Sequence, residues 1–420
     1  MSSYSHAPWT SAYPDGLPNE ITPPHNTMVE VVNAAVALSP ERTAIQYFDA
    51  GLSFTELNDA AEALAAALIE CGFAPGNRLA LYLQNDPAFV IGLLAAWKAG
   101  GCAVMINPMN KPRELSHLLS DSGATAMLCL DTLHQSVVSE VIASGTAPAL
   151  TDVVTTSARY LQTRNDVRVL IDTPLHQLPG SVMLEELLTE YRGRHPAAVP
   201  PPKPDEPAVL TYTSGTTGIP KAAVNTHGAM AFNSFTYHHW MKLSAEDCIL
   251  GIAPLFHITG LVGHIGAALA SRCSLILTHR FEPAVVLDAQ REHRPTFTVA
   301  AVTALSSLLS CSQDPRDFES LRAVYSGGAP ISPALAEDFQ RATGCRIHNI
   351  YGLTETTSPA LATPLGAVGR VDHRTGALSV GVPVFNTTVR VLDDDGNELP
   401  AGELGEIAIK GPQVIAAYWN

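Results

Sequence analysis

The chain has 420 residues, 46% of them hydrophobic, which is more apolar sequence than one small core absorbs and points to two or three subdomains. Forty acidic residues oppose 25 basic ones, for a formal charge of -15, so long-range attraction to nucleic acid or anionic lipid is excluded as the main mode of binding. No run of 18 uncharged apolar residues occurs, and the start, MSSYSHAPWTSAYPDG, has neither a basic nor a long apolar stretch; neither a membrane span nor a secretory leader is expected, and the cytoplasm is the expected compartment.

The first half alternates helix and strand patterns. Ser53-Phe-Thr-Glu56 reads as a capping box. Leu57, Ala61, Leu64, Leu68 and Cys71 then follow on one helical face, and Gly72 stands where that helix should stop. RLALYLQN (78–85) reads as a strand, AFVIGLLAAWKAGG (88–101) as a buried helix, and CAVMINP (102–108) as another strand. Strand–helix–strand units of this length imply a parallel sheet flanked by helices. AAVPPPKPDEP (197–207) reads as a stiff, exposed connector. The second half repeats the alternation: CILGIAPL, GLVGHIGAALAS, CSLILTH, AVVLDAQREHR and LRAVYSGGAPIS. From about Gly381 short strands and turn residues take over, with Asp395-Gly396 as a hairpin signal. The expected divisions are 1–200, 201–380 and 381–420: two α/β subdomains and a small antiparallel β subdomain. The seven cysteines are scattered without CxxC spacing, which suits reduced, buried thiols.

Three stretches carry chemistry. LTYTSGTTGIPKAAVNTHG (210–228) offers hydroxyls and bare amides at Thr213, Ser214, Gly215, Thr216, Thr217 and Gly218, with one cation at Lys221. Such a loop suits phosphate oxygens, because glycine admits close backbone approach. It is not a Walker A loop, since Gly218 is followed by Ile-Pro-Lys-Ala. A flexible Thr/Gly surface hairpin would share this composition. IYGLTETTS (350–358) holds Tyr351, able to stack on a base, the Thr354 hydroxyl, and Glu355, a hard oxygen ligand suited to Mg2+. A capped helix start would read the same way. YSGGAP (325–330) puts a Gly-Gly turn at a strand end, where parallel sheets place ligands, or where an ordinary strand-to-helix turn would stand. His238-His239-Trp240 lacks a third ligand for a metal, and LDDDGNE lacks the spacing of a calcium loop.

Together and in this order, YTSGTTGIPK, YGLTET and GELGEIAIKGP (402–412) resemble the adenylate-forming superfamily of acyl- and aryl-CoA synthetases, amino-acid adenylation domains and firefly-type luciferases. The resemblance runs from about Thr27 to Asn420. It implies a luciferase-like N-terminal domain: two parallel-type sheets flanked by helices plus a small antiparallel β subdomain. It implies an AMP-forming acid–thiol ligase using ATP, Mg2+ and coenzyme A: a carboxylate attacks the α-phosphate to give acyl-AMP and pyrophosphate, and a thiol then takes the acyl group. The 213–221 loop with Lys221 would hold the β- and γ-phosphates, Thr354 the α-phosphate, and Glu355 the Mg2+. Gly328, Ala329 and Pro330, with Asn349, Ile350, Tyr351 and Gly352, would form the nucleotide slot. His257, in PLFHITGLVGH (254–264), would line the acyl pocket and the thiol route. Thr259, Gly260, Leu261, Gly263, Val302, Thr303, Ser326, Gly327, Gly352 and Leu353 would complete that pocket. Amino-acid adenylation domains place an aspartate after the aromatic where Phe256 is followed by His257, so an α-amino acid is disfavoured and a fatty, alicyclic or aryl acid is expected.

The family pattern continues past the position of Asn420 into a small lid domain with a ribose-binding aspartate, a hinge and a catalytic lysine. Those pieces are not in this chain, so the expectation is an N-terminal part of such a ligase with weak activity of its own. The alternatives are an acyl-adenylate ligase that loads a carrier protein and a non-catalytic acid- or nucleotide-binding module. A homodimer fits the family.

Overall fold

The computed structural model describes residues 7–170, 178–213 and 218–420. The first sheet has seven strands. In chain order they are β3 (Arg78–Tyr82), β4 (Cys102–Met105), β5 (Ala126–Leu130), β6 (Asp152–Thr156), β7 (Val182–Met183), β8 (Pro207–Tyr212) and β9 (Ala222–Thr226), arranged β7-β6-β5-β3-β4-β8-β9. All neighbours are parallel except the antiparallel edge pair β8–β9. The second sheet has nine: β1 (Thr43–Tyr47), β2 (Ala50–Ser53), β10 (Cys248–Leu250), β11 (Ser274–Leu277), β12 (Phe297–Ala300), β13 (Ala323–Ser326), β14 (Ile347–Leu353), β15 (Ser358–Ala362) and β16 (Val382–Pro383). Their order is β16-β15-β14-β13-β12-β10-β11-β1-β2. A separate antiparallel pair joins β17 (Thr388–Leu392) and β18 (Glu406–Lys410).

The local sequence explains these elements. β4, β5, β12 and β13 are buried along their whole length, as strands covered on both faces must be, and they are correspondingly apolar. The capping box forms: the Glu56 amide donates to Ser53 Oγ at 3.1 Å, and the Ser53 amide to Glu56 Oε2 at 2.8 Å. The helix Phe54–Glu70 buries Leu57, Ala61, Leu64 and Leu68, and ends at Gly72, which takes φ +99°. Its expected face stops one residue short, because Cys71 is exposed; Cys311 is exposed as well, so the thiols are not all buried.

Sheet membership does not follow the expected division at residue 200. β1 and β2 leave the first half and close one edge of the second sheet, while β8 and β9 leave the second half and close an edge of the first. The driving contact is β1 against β11, a parallel pairing that links residues more than 200 positions apart and carries no local signal. Likewise β16, beyond Gly381, joins the nine-stranded sheet, leaving only β17–β18 as the small β unit. No helix among the described residues is long and apolar enough to cross a membrane.

Candidate active site

Two of the three chemistry-bearing stretches, YSGGAP and IYGLTETTS, meet where the parallel strands of the second sheet end, while the third lies between β8 and β9 of the first sheet. Ile252, Ala253 and Pro254 follow β10, Ala300 ends β12 and Ala301 follows it, Gly327 and Gly328 follow β13, and Ile350 and Gly352 lie in β14. They enclose a cavity of about 400 Å3, completed by Tyr237, His257, Ile258, Thr259, Phe281, Ala304, Ser358 and Pro359. Carboxyl ends of parallel strands are where open α/β sheets bind ligands. Among the described residues, no charged side chain lines this cavity.

Of the acyl-pocket residues read from the sequence, His257, Thr259, Gly327 and Gly352 line the cavity; Gly260, Leu261, Gly263, Val302, Thr303, Ser326 and Leu353 do not. The reasons are geometric. Side chains alternate along β14, so Ile350 and Gly352 face the cavity, Tyr351 packs on Leu361 and Val389, and Leu353 is exposed. By the same alternation Ser326 is buried and Gly327 faces in. Leu261 is fully buried in the main core. Gly260 is held against the Pro254 carbonyl, and a Cβ on Gly263 would lie 2.8 Å from the Tyr237 ring. Val302 packs on the core behind the second sheet, Thr303 is exposed, and Ala304, the next residue, reaches the cavity. The sequence reading missed Tyr237, Ile252, Phe281, Ala300, Ala301 and Ala304. Only a β12–helix turn read as a ligand-facing strand end would have flagged the alanines.

His257 stands at the start of the short helix Ile258–Gly260, its ring 5.1 Å from that of Phe256. Desolvation by the surrounding protein lowers its pKa below the ordinary value, so the imidazole is neutral at pH 7. Gly328 takes φ +80°, a conformation suited to glycine, and begins the exposed Gly328, Ala329 and Pro330 run. Asn349 is buried, and its amide donates to the Ser379 carbonyl at 3.1 Å.

Of the residues that the sequence reading assigns to a phosphate loop, Ser214, Gly215, Thr216 and Thr217 lie outside the described residues. The root of the loop is tied: the Thr213 amide donates to the Lys221 carbonyl at 2.9 Å. Gly218 and Lys221 are exposed. Lys221 comes together with the second motif through the last residues of the chain. Its Nζ lies 5.7 Å from the centroid of the Tyr418 ring, and the Tyr418 hydroxyl donates to Glu355 Oε1 at 2.6 Å. Glu355 Oε2 has no hydrogen-bond or ion-pair partner among the described residues. One half-buried carboxylate, with no cluster of three or more His, Cys, Asp or Glu among the described residues, does not make a metal cage. It does suit Mg2+ carried in on phosphate oxygens, since that ion is held by one or two carboxylates plus substrate and water.

The turn bearing Thr354 and Glu355 is held from below by two fully buried amides that the sequence reading also missed. Asn225 Nδ2 donates to the Thr354 carbonyl at 2.9 Å and to Thr357 Oγ1 at 3.0 Å. Asn233 Nδ2 donates to the Thr356 and Thr357 carbonyls at 3.1 and 2.6 Å.

The family comparison decides the identity of this arrangement. A family model described as AMP-binding enzyme matches residues 32–419. The chain belongs to the AMP-binding, adenylate-forming enzymes. A long-chain-fatty-acid–CoA ligase of Bacillus subtilis (strain 168) is 30% identical over 99% of this chain and 74% of its own length. An indoleacetate–CoA ligase of Aromatoleum aromaticum is 30% identical over 93% of this chain and 71% of its own. A long-chain-fatty-acid–CoA ligase structure from Archaeoglobus fulgidus superimposes with a TM-score of 0.81 at 25% identity, covering 97% of this chain and 79% of that one. An anthranilate CoA ligase in complex with anthranoyl-AMP shares the fold at a TM-score of 0.83 and 22% identity, covering 96% of this chain and 72% of that one. The luciferase-like α/β fold expected from the motifs is therefore the fold this AMP-binding enzyme has.

Proposed function

We propose that this AMP-binding enzyme activates, with ATP, a monocarboxylic acid whose body is apolar and uncharged, and transfers the acyl group to coenzyme A. The observation that carries the reading is the uncharged, largely aliphatic cavity at the strand ends, bounded by the Gly327-Gly328 turn on one side and His257 on the other. A second carboxylate or an ammonium group would be desolvated there without a partner, which is costly. The relatives named above act on long-chain fatty acids and indoleacetate, acids whose bodies are apolar.

In this reading the acid lies in the cavity with its carboxylate toward Thr354. Its oxygen attacks the α-phosphorus, the bond to the bridging oxygen breaks, and pyrophosphate leaves. Lys221 and the hydroxyls of the 213–221 loop hold the departing phosphates. Thr354 donates to the α-phosphate, and Gly328, Ala329, Pro330 and Tyr351 border the base. Glu355 would hold Mg2+, which offsets the charge of the triphosphate when bound. Thiol attack on the acyl carbonyl then releases AMP, and in this reading neutral His257 would line the thiol's route. Coenzyme A as acceptor rests on the relatives; the same adenylate passed to a carrier protein would be a different enzyme.

The test is a pyrophosphate-release screen at saturating MgATP. Apolar monocarboxylic acids of graded length and ring size should support release. Dicarboxylic acids and α-amino acids of matched size should fall at least tenfold lower, and thioester should form with coenzyme A. Preference for a charged acid would refute the reading of the cavity.

A further inference from the structure

The last described residues form a strap that touches both motifs of the site. The Trp419 amide donates to the Ala222 carbonyl at 2.8 Å, and Tyr418 pairs with Ala223 in an antiparallel bridge along β9. The Ile415 amide donates to the Glu355 carbonyl at 2.9 Å, and Thr357 Oγ1 donates to the Gln413 carbonyl at 2.8 Å. The strap therefore fixes the edge of the first sheet, from which the phosphate loop springs, against the Thr354–Glu355 turn of the second.

Tyr418 is the residue of the strap that meets both charged side chains. It sits opposite Ala223, and Lys221 is two positions before Ala223 on the same face of that segment. That is the diagonal cross-strand relation that aromatic and long side chains can bridge. The ammonium group lies over the ring at 5.7 Å from the centroid, an attractive cation–π placement. The phenol donates to Glu355 Oε1 and not to Oε2. A free carboxylate rotates between equivalent orientations; one donor on one oxygen removes that freedom. Hydrogen-bonded carboxylates of this kind are how ligating oxygens are aimed.

We propose that Tyr418 is a positioning residue for the metal–nucleotide complex: its hydroxyl aims Glu355 at the metal, and its ring orients Lys221 toward the phosphates. This rests on the reading of Glu355 and Lys221 given above. It extends the site to the strap, which neither nucleotide motif contains.

The experiment titrates Mn2+ into the protein with an ATP analogue blocked between the α- and β-phosphates, reading bound Mn2+ by electron paramagnetic resonance, without turnover. Tyr418→Phe should weaken Mn2+–nucleotide binding about tenfold, the size typical of losing a ligand's supporting hydrogen bond. Glu355→Gln should weaken it at least as much, and the double variant should match Glu355→Gln alone, because the hydroxyl acts through the carboxylate. Tyr418→Leu should also lower affinity for the metal-free analogue, whereas Tyr418→Phe should not. Thermal midpoints of the Phe variant should stay within about 2 °C of the parent, separating aim from folding. Full Mn2+ affinity in Glu355→Gln overturns the metal reading and the inference with it. A weakened Glu355→Gln beside an unaffected Tyr418→Phe overturns the inference alone, as does an additive double variant.

Discussion

Asn233 is fully buried on the helix His227–Trp240, yet its amide points into the turn that carries Thr354 and Glu355. It donates to three carbonyls, those of Thr356, Thr357 and Pro359. The turn needs this support, because Thr357 and Ser358 adopt φ of +49° and +84°, each strained for a residue with a Cβ. Such residues cost on the order of 1–3 kcal/mol and persist only where their surroundings over-determine them. Asn233→Ala leaves those carbonyls without a donor and should cost about 2–4 kcal/mol. Asn233→Asp should cost more, since a carboxylate aims negative charge at the same oxygens. Thermal melts of both variants check the order; an Asp variant as stable as the parent would refute the clamp. Nothing local in NTHGAMAFNS announces this role. A polar residue on a helix ordinarily faces water, and only the burial of nearly the whole helix His227–Trp240 makes Asn233 interior.

At the scale of single elements, the legible features are those whose partners lie within a few residues. The capping box needs only Ser53 and Glu56, so its spacing suffices to predict it. Removing its hydroxyl with Ser53→Ala should lower stability by about 1 kcal/mol, read as a shift in the urea midpoint at constant slope. The Asp395-Gly396 signal shows where local reading stops. The turn forms, with Gly396 at φ +80° and its amide donating to the Asp393 carbonyl at 3.0 Å. The main partner of β17 is nonetheless β18, whose Glu406 pairs with Leu392. Leu392 also bridges Glu398 antiparallel across the turn, so the hairpin signal is met by a short ladder inside the longer β17–β18 connection. Strand partners chosen across distant sequence, such as β1 on β11 or β9 beside the terminal strap, depend on which apolar faces are left uncovered. That is decided by the assembled core. The same limit explains the cavity: the motifs mark the backbone turns, while the wall comes from Ala301, Ala304 and Phe281, apolar residues that carry no chemical signal in the sequence.

For the whole molecule, burial without charge shapes the response to acid. His227 and His264 are almost wholly inaccessible, and burial pushes both imidazoles down to about 4 from an ordinary 6.5. His264 contacts the Val299 carbonyl through Nε2 at 3.0 Å, and the His227 ring packs on Trp97 at 5.8 Å between centroids. Both are neutral in the folded chain at pH 7. The unfolded chain takes up their protons near pH 6.5 and the folded chain only near pH 4. Their contribution is thus fully present above pH 6.5 and is lost as pH falls from 6.5 through 4. A single such proton gives a slope of about 1.4 kcal/mol per pH unit inside that window. The urea midpoint should therefore be flat with respect to these groups between pH 7 and 8 and fall steeply below pH 6. His227→Gln, which cannot titrate, should remove about one proton's worth of that slope. An unchanged slope in the variant would show that His227 is protonated in the folded chain, against its burial beside Trp97. The proposed site is drawn into the same response, because His227 opens the helix that carries Asn233 to the Thr354–Glu355 turn. Acid that loosens that helix should release the Thr354–Glu355 turn together with the fold, so loss of nucleotide binding and loss of stability should share one midpoint below pH 6.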